Sequence, residues 1–217
     1  MVKLTAYPLQ LLFMEIRNSQ AIPEREEGKQ VDITENIKAP GSDEAKLLFV
    51  QARNRLFDIA NWSNISEGIS ASFILTDECG KPKQAIPAPG DYFRIDIPGP
   101  GSSAGGGYDW VRVEMVEDHS APGSNSEWVL IKVRPSEDPA KQEGVAHFLR
   151  EQATSSFVVK REGNLITAGV HGRNEKPNTE TNNLSDTIRN AVISTLAVAG
   201  MATIQWQKLV KGLLSIS

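Results

Sequence analysis

The sequence predicts a single α+β domain in which a curved antiparallel sheet of about six to seven strands grips a long C-terminal helix. The composition is that of an ordinary globular protein, with 40% hydrophobic and 23% charged residues in a chain of 217. Apolar and polar residues alternate in several short segments, which is typical of antiparallel strands with one buried face. Residues 183–214 have helical spacing instead, and no other segment with that spacing is as long.

The net charge and the single cysteine restrict the class of protein and the compartment to which this chain can belong. The formal net charge of −4 and the lack of a basic run argue against nucleic-acid binding, which needs concentrated Lys and Arg. Cys79 is the only cysteine, so a reducing compartment is expected, and we predict a cytoplasmic location. The eighteen uncharged residues between Arg189 and Lys208 approach the length of a membrane span, but their polar members favour a buried helix and no membrane insertion.

The first third of the chain predicts two strands and a helix. Residues 9–17 and 30–37 are short, apolar-rich and strand-like. Ser42 is a suitable cap for a helix over about 43–60, because its hydroxyl can accept from an unpaired backbone N–H. Apolar residues follow at helical spacing, at Ala45, Leu48, Phe49, Ala52, Leu56 and Ile59.

The middle of the chain predicts a meander of strands, and the C-terminus predicts the long helix. Alternation with a period of two marks residues 69–75, 93–97, 111–115 and 129–133, and two further strands flank a turn at 162–164. Residues 139–151 predict a short helix. In the terminal helix an i, i+4 row forms the apolar side, which later residues extend: Ile188, Val192, Leu196, Gly200, Ile204, Trp206, Leu209, Val210 and Leu213.

This order of elements resembles the START-like, helix-grip (SRPBCC) superfamily. The likeness rests on the amphipathic helix ending in Asp-Ile-Ala-Asn-Trp at 58–62, the strand beginning Ile-Ser-Ala-Ser-Phe at 69–73, and the closing helix 183–214. It covers residues 30–214 of a single domain and leaves 1–29 as an N-terminal extension. The resemblance implies a cavity between the sheet and the terminal helix that binds a small, mainly hydrophobic molecule such as a lipid.

Strand parity predicts which side chains line such a cavity. If the apolar faces of the strands meet the helix, the lining consists of Phe73, Phe93, Ile95, Val111, Val113, Met115, Val129, Ile131, Phe157, Leu196 and Ile204. In the alternative, the opposite face is concave and a polar cavity could hold an acidic ligand among Tyr92, Arg94, Trp110, Arg112 and Trp128. The two alternatives exclude each other, because alternate residues of a strand lie on opposite faces of the sheet. Burial preferences favour the first.

Few residues of the sequence indicate a catalytic, metal-binding or phosphate-binding role. The glycine-rich loop 98–107 lacks the Lys-Ser/Thr pair and the following helix of a phosphate site, so we predict that Gly105 and Gly106 belong to a gate at the cavity mouth. The three histidines, at positions 119, 147 and 171, lack metal-ligand spacing and are expected at the surface or at strand edges. His171 is the one expected near the cavity mouth, as an acid or base, and Arg112 is a second polar candidate there.

The sequence therefore predicts a cytoplasmic binding protein for a small hydrophobic molecule, without metal or cofactor and without catalysis. One alternative is a cyclase, dehydratase or hydrolase-type enzyme, which would need Arg112, Glu114 and His171 to converge in the cavity. Another is an interaction module whose core is filled by the helix. Association into a homodimer through exposed Trp110 and Trp128 also stays open, since tryptophan is enriched at interfaces.

Overall fold

The computed structural model describes residues 21–66, 71–98, 101–141, 144–179, 181, 184–198 and 201–216. Within these residues seven strands are present: β1 (Lys29–Lys38), β2 (Ser72–Thr76), β3 (Tyr92–Asp96), β4 (Asp109–His119), β5 (Ser126–Pro135), β6 (Thr154–Glu162) and β7 (Leu165–Glu175). The helices are α1 (Ser42–Phe57), the short α2 (Trp62–Ile65), α3 (Leu184–Val198) and α4 (Met201–Leu213). A 3₁₀ turn over Ile59–Asn61 joins α1 to α2.

The seven strands form one antiparallel sheet in the order β1-β7-β6-β5-β4-β3-β2. From β2 to β7 each strand pairs with its successor in the chain, as a meander does, and β1 closes the sheet by pairing with β7. A sheet of this many strands twists and curves, and its concave side must be covered by apolar surface. The predicted fold class, a curved antiparallel sheet with a C-terminal helix, is confirmed.

The apolar strand face lies against the helices. Helix α1 packs across β6 and β7, while α4 packs across β1 and β7 and also contacts α1 and α2. The shared core includes Phe93, Val111, Val129, Phe157 and Leu209, each 5% exposed or less. Of the two parity alternatives, the apolar one is therefore the arrangement in this fold.

A β-bulge in β4 changes the face of one predicted residue. Val113 pairs with Val133, but the next pairs are Met115 with Lys132 and Val116 with Ile131. The extra residue reverses the alternation, so Val116 takes the concave position and Met115 packs on the convex side. The prediction that Met115 lies on the helix side is wrong for this reason.

The terminal helix does not bury the row predicted for α3. Ile188 and Val192 are 58% and 53% exposed, whereas Asp186, Arg189 and Asn190 are buried. Among the α3 side chains that the structure describes, the buried ones are therefore polar, whereas α4 buries the apolar Leu209, Val210 and Leu213. Gly200 and the side chain of Leu196 lie outside the described part of the chain.

Several predicted boundaries shift. Helix α1 begins at Ser42, with Gly41 as the flanking residue and no side-chain cap. The described residues of 139–151 form turns and a bridge instead of a helix, and the strand predicted at 9–17 lies outside the described residues.

Ala21 and Ile22 pack on the convex face against Trp128, Leu130 and Val158. Among the described helices, none combines the length and the hydrophobicity that a bilayer span requires.

Candidate ligand cavity

A cavity of about 130 Å³ lies between the concave face of the sheet and the beginning of α4. Its lining is largely apolar, with aliphatic contributions from Val31, Ala71, Ile95, Ile97, Val111 and Val133. An engineered cavity of roughly 150 Å³ in another protein remains dry and binds benzene. The space in this chain therefore suits a ligand of about one aromatic ring.

Aromatic side chains from five elements of the fold form one wall of the cavity. Trp62 of α2 lies beside Phe157 of β6, with ring centroids 4.7 Å apart, and beside Phe73 and Phe93 at 5.5 and 5.9 Å. Trp206 of α4 contacts Phe157 at 5.4 Å. The tilted and edge-on angles between these rings are the arrangements that aromatic pairs prefer.

Hydrogen bonds hold the Trp62 indole in place. Its Nε1 donates to the carbonyl oxygen of Leu56 at 3.1 Å and to that of Arg55 at 3.2 Å, both near the end of α1. Trp62 is fully buried, so an unpaired indole N–H would be costly at this position. The turn from α1 into α2 thus fixes the aromatic wall.

The structure brings together five of the predicted lining residues: Phe73, Phe93, Ile95, Val111 and Phe157. Val113, Val129 and Ile131 lie in the same core but away from the cavity lining. Ile204 is 55% exposed and also lies outside the lining. Whether the five that line the cavity contact a ligand stays a prediction.

The segment at 147–149, between β5 and β6, forms a further wall of the cavity that sequence reasoning did not find. Arg150 N–H donates to the carbonyl of Lys176, and Asn178 N–H donates to that of Phe148, at 3.0 and 2.8 Å. Leu149 and Pro177 form an isolated bridge between the same two segments. The segment follows the irregular path of residues 176–178, so no periodic pattern marks it in the sequence.

His147 lies in this segment and is buried, contrary to the expected surface or edge position. Its Nδ1 accepts a hydrogen bond from the backbone N–H of Leu149 at 3.0 Å, and its ring stacks on Phe148 with centroids 4.4 Å apart. Burial lowers the pKa of His147 to about 4, an effect that Asp109 opposes and Arg189 reinforces. The ring is therefore neutral at physiological pH.

A buried polar network lies behind His147 and joins its segment to α3. Asp109 at the start of β4 forms a buried ion pair with Arg189, and its Oδ1 also accepts from the Phe148 N–H at 3.0 Å. The amide of Asn190 donates to the carbonyl of Asn178 at 2.8 Å. These contacts explain why α3 buries polar residues, because each one satisfies a specific buried partner.

A second polar group of the lining lies at the end of β7. Burial raises the pKa of Glu175, although Lys29 and Arg173 act in the opposite direction. A Cβ on Gly172 would lie 2.2 Å from Oε1 of Glu175, so the carboxylate occupies space that a larger residue would fill. Lys29 and Glu175 both line the cavity and place opposite charges there.

The other predicted polar residues lie elsewhere. His171 is on the convex face, where its Nδ1 is 2.6 Å from Oδ1 of Asp32. Arg112 and Glu114 line a separate surface groove beside Arg134. The three side chains that the enzyme alternative required, Arg112, Glu114 and His171, therefore do not converge in the cavity.

The described part of the glycine-rich loop, residues 98 and 101–107, is attached to α3 and does not contribute to the cavity lining. The N–H groups of Ser103 and Ala104 donate to the Asp186 carboxylate at 2.9 and 3.3 Å. Gly105 packs tightly against the chain, because a Cβ there would lie 1.9 Å from the Tyr108 carbonyl oxygen. Gly105 and Gly106 are absent from the cavity lining as described, so their role as a gate stays a prediction.

The two tryptophans expected at an interface are buried. Trp110 donates from Nε1 to the Gly105 carbonyl at 3.1 Å. Trp128 stacks on the ring of His119, with centroids 4.1 Å apart. Each is 5% exposed or less, so the exposed surface that was expected to support a homodimer is not present at these residues.

Comparison with known proteins finds likeness only among solved structures. No protein-family model and no curated protein matches the chain. A hypothetical protein from Helicobacter pylori is similar at 12% identity and a TM-score of 0.48, over 88% of this chain and 91% of that one. The Zhui aromatase/cyclase from Streptomyces sp. R1128 is similar at 10% identity and a TM-score of 0.40, over 85% and 93%.

Norcoclaurine synthase from Thalictrum flavum is also similar, at 10% identity and a TM-score of 0.39, over 89% of this chain and 99% of that one. The cyclase and the synthase have helix-grip folds.

The buried His147 should make the protein less stable as the pH falls from 6.5 to about 4. In this range the unfolded chain takes up a proton that the folded chain does not, so stability rises with pH. At pH 4.5 the loss relative to pH 7 is about 2–3 kcal/mol from this residue. Urea denaturation of the wild type and of His147→Asn at both pH values measures it, and the variant should lose less stability by that amount.

Other groups also titrate in or near this range, among them His171, Glu175 and Glu114, and all of them remain in the variant. Burial also lowers the pKa of His171, which adds to the loss at low pH. The raised pKa of Glu175 has the opposite sign, because its folded-state proton is retained above the usual value of 4.5. Equal acid destabilisation of the wild type and the variant would contradict the assignment to His147.

Proposed function

We propose that the protein binds a small, mainly hydrophobic molecule in the cavity between the sheet and the C-terminal helix. The observation that carries this proposal is the aromatic-lined cavity of about 130 Å³, which combines Trp62, Phe157 and Trp206 from three separate elements. Side chains beside an empty apolar space lack contact partners on one side, and a ligand of matching shape restores those contacts. A single-ring compound fits the volume.

Native mass spectrometry of protein purified under gentle conditions tests the proposal. We expect an excess mass that disappears on denaturation, and extraction of the released compound would identify the ligand class. A bare mass, followed by no binding from a panel of single-ring aromatic compounds and lipids, would overturn the proposal. That result would favour the alternative of an interaction module with a filled core.

A cavity-filling substitution provides the matched control for this experiment. Val133 lines the cavity, so Val133→Phe should place a ring in the space that the ligand occupies and abolish the excess mass. Val50 on α1 is 48% exposed, and Val50→Phe adds the same group outside the cavity. Val50→Phe should retain the ligand. Retention by both variants would show that the bound molecule lies elsewhere.

A further inference from the structure

His147 has a hydrogen-bond donor that is not used within the described part of the protein. The residue is 6% exposed and lines the cavity. Because Nδ1 accepts from the Leu149 N–H, the neutral ring carries its hydrogen on Nε2. No described group accepts a hydrogen bond from that Nε2. The atom is not among the enclosed, unpaired side-chain atoms of the described residues, so it is accessible, and His147 lies in the cavity lining. A donor that is accessible at an otherwise apolar cavity wall favours a ligand that carries an acceptor within reach of it.

We infer that His147 determines the specificity of the cavity by donating a hydrogen bond from Nε2 to an uncharged acceptor oxygen on a single-ring ligand. The ligand class is thus an aromatic compound with a carbonyl or ether oxygen, in contrast to a plain hydrocarbon. This inference rests on the proposed function, because it assigns a role within the same binding site. It concerns the selection of the ligand and does not require a reaction.

The donor is held in position before a ligand binds. The carbonyl of His147 accepts from the Asn178 amide at 3.1 Å and from the Asn190 amide at 3.5 Å. The ring itself is fixed by the bond from Leu149 and by the stacking on Phe148. A donor that needs no reorganisation contributes more to affinity than one that must first be ordered.

The electrostatic surroundings favour an uncharged acceptor over an anion. His147 is neutral above about pH 4, so it offers an N–H group without a positive charge. The charged groups that act on its ring are Asp109 and Arg189, which already form an ion pair with each other. The cation of the lining, Lys29, acts on Glu175, whose pKa it lowers against the effect of burial.

A matched pair of probes tests the hydrogen bond. Acetophenone and α-methylstyrene have the same size and shape, but the first presents a carbonyl oxygen where the second has a methylene group. Their dissociation constants are measured by isothermal titration calorimetry at pH 7 on the full chain and two variants. His147→Asn keeps an oxygen near the Nδ1 position for the Leu149 N–H but lacks the Nε2 donor. His147→Gln places an amide N–H near the Nε2 position.

We expect His147→Asn to bind acetophenone about tenfold more weakly than the wild type and to bind α-methylstyrene within about twofold of it. His147→Gln should retain most of the affinity for acetophenone. Equal effects of His147→Asn on the two probes would overturn the inference and leave the proposed function standing. Failure of the wild type to bind either probe would overturn the inference, and together with a bare mass in native mass spectrometry and no binding from the panel it would overturn the proposed function as well.

A measurement on the wild type keeps the test decisive if a variant does not fold. In protein labelled with ¹⁵N-histidine, the Nε2–H of His147 should shift on addition of acetophenone and move much less with α-methylstyrene. Similar shifts with both probes would contradict a hydrogen bond to the carbonyl oxygen. His171, which lies on the convex face, should not respond to either probe and provides the internal control.

Discussion

Replacement of Arg189 by methionine should lower the free energy of unfolding by about 3–5 kcal/mol. The guanidinium and the Asp109 carboxylate form an ion pair in which both side chains are at most 4% exposed. Removal of one partner leaves the other charge buried without compensation, which is the costly case for buried ion pairs. Urea denaturation monitored by circular dichroism measures the change.

The double variant Asp109→Asn/Arg189→Met is the control for this prediction. It removes both charges, and the asparagine amide that replaces the carboxylate retains an oxygen that can accept from the Phe148 N–H. Most of the lost stability should therefore return, because an uncharged pair of similar volume avoids the desolvation cost. Hydrogen exchange should show faster opening of α3 than of α4 in the single variant, since α4 is anchored by Leu209 and Leu213. A single variant within about 1 kcal/mol of the wild type would contradict this account.

Replacement of Arg161 by methionine should cost a similar amount, about 3–5 kcal/mol, without affecting the cavity. Arg161 is 1% exposed, and its Nε lies 2.7 Å from Oε2 of Glu127. Its other nitrogens donate to the carbonyls of Gly163 and Ser124 at 3.0 and 2.7 Å. The side chain thus joins the β4–β5 turn to the β6–β7 turn, at a distance from the cavity lining.

Substitution of Arg161 should lower the stability of the protein but not its affinity for a ligand. This distinguishes Arg161 from the Asp109–Arg189 pair, which lies beside the cavity. In Arg161→Met, the affinity for α-methylstyrene under native conditions should remain within about twofold of the wild type. Glu127→Gln/Arg161→Met removes both charges and should recover part of the stability, as measured by the urea midpoint. A large loss of affinity in the folded single variant would show that the two hairpin turns and the cavity are coupled.

Local periodicity was enough to predict the sheet and the face that it turns to the core. Alternation in β3 and β6 predicted that Phe93 and Phe157 face inward, and both lie in the cavity lining. The same rule, applied to β7, would have placed His171 on the convex face, because Ile166, Ala168 and Val170 occupy the concave positions. The alternation of β7 thus contains the signal that places His171 away from the cavity.

Contacts between distant parts of the chain determine the features that periodicity does not predict. The bulge that turns Met115 outward depends on how β4 pairs with β5, which the alternation within β4 does not reveal. The burial of His147 depends on backbone bonds between its own segment and residues 176–178.

The terminal helix shows the physical reason most clearly. An apolar row at Ile188 and Val192 indicated one buried side, but α3 is oriented by Arg189, whose partner Asp109 lies 80 residues away in the chain. A buried charge without its partner is very costly. Pairing Arg189 with Asp109 therefore decides the orientation of α3, even though Ile188 and Val192 then remain exposed. The sequence by itself determined most strands and helices and the apolar face of the sheet, because these features depend on the spacing of residues that are close together in the chain. Only the tertiary structure decided which polar groups meet at the cavity, because their pairing is a property of the folded chain.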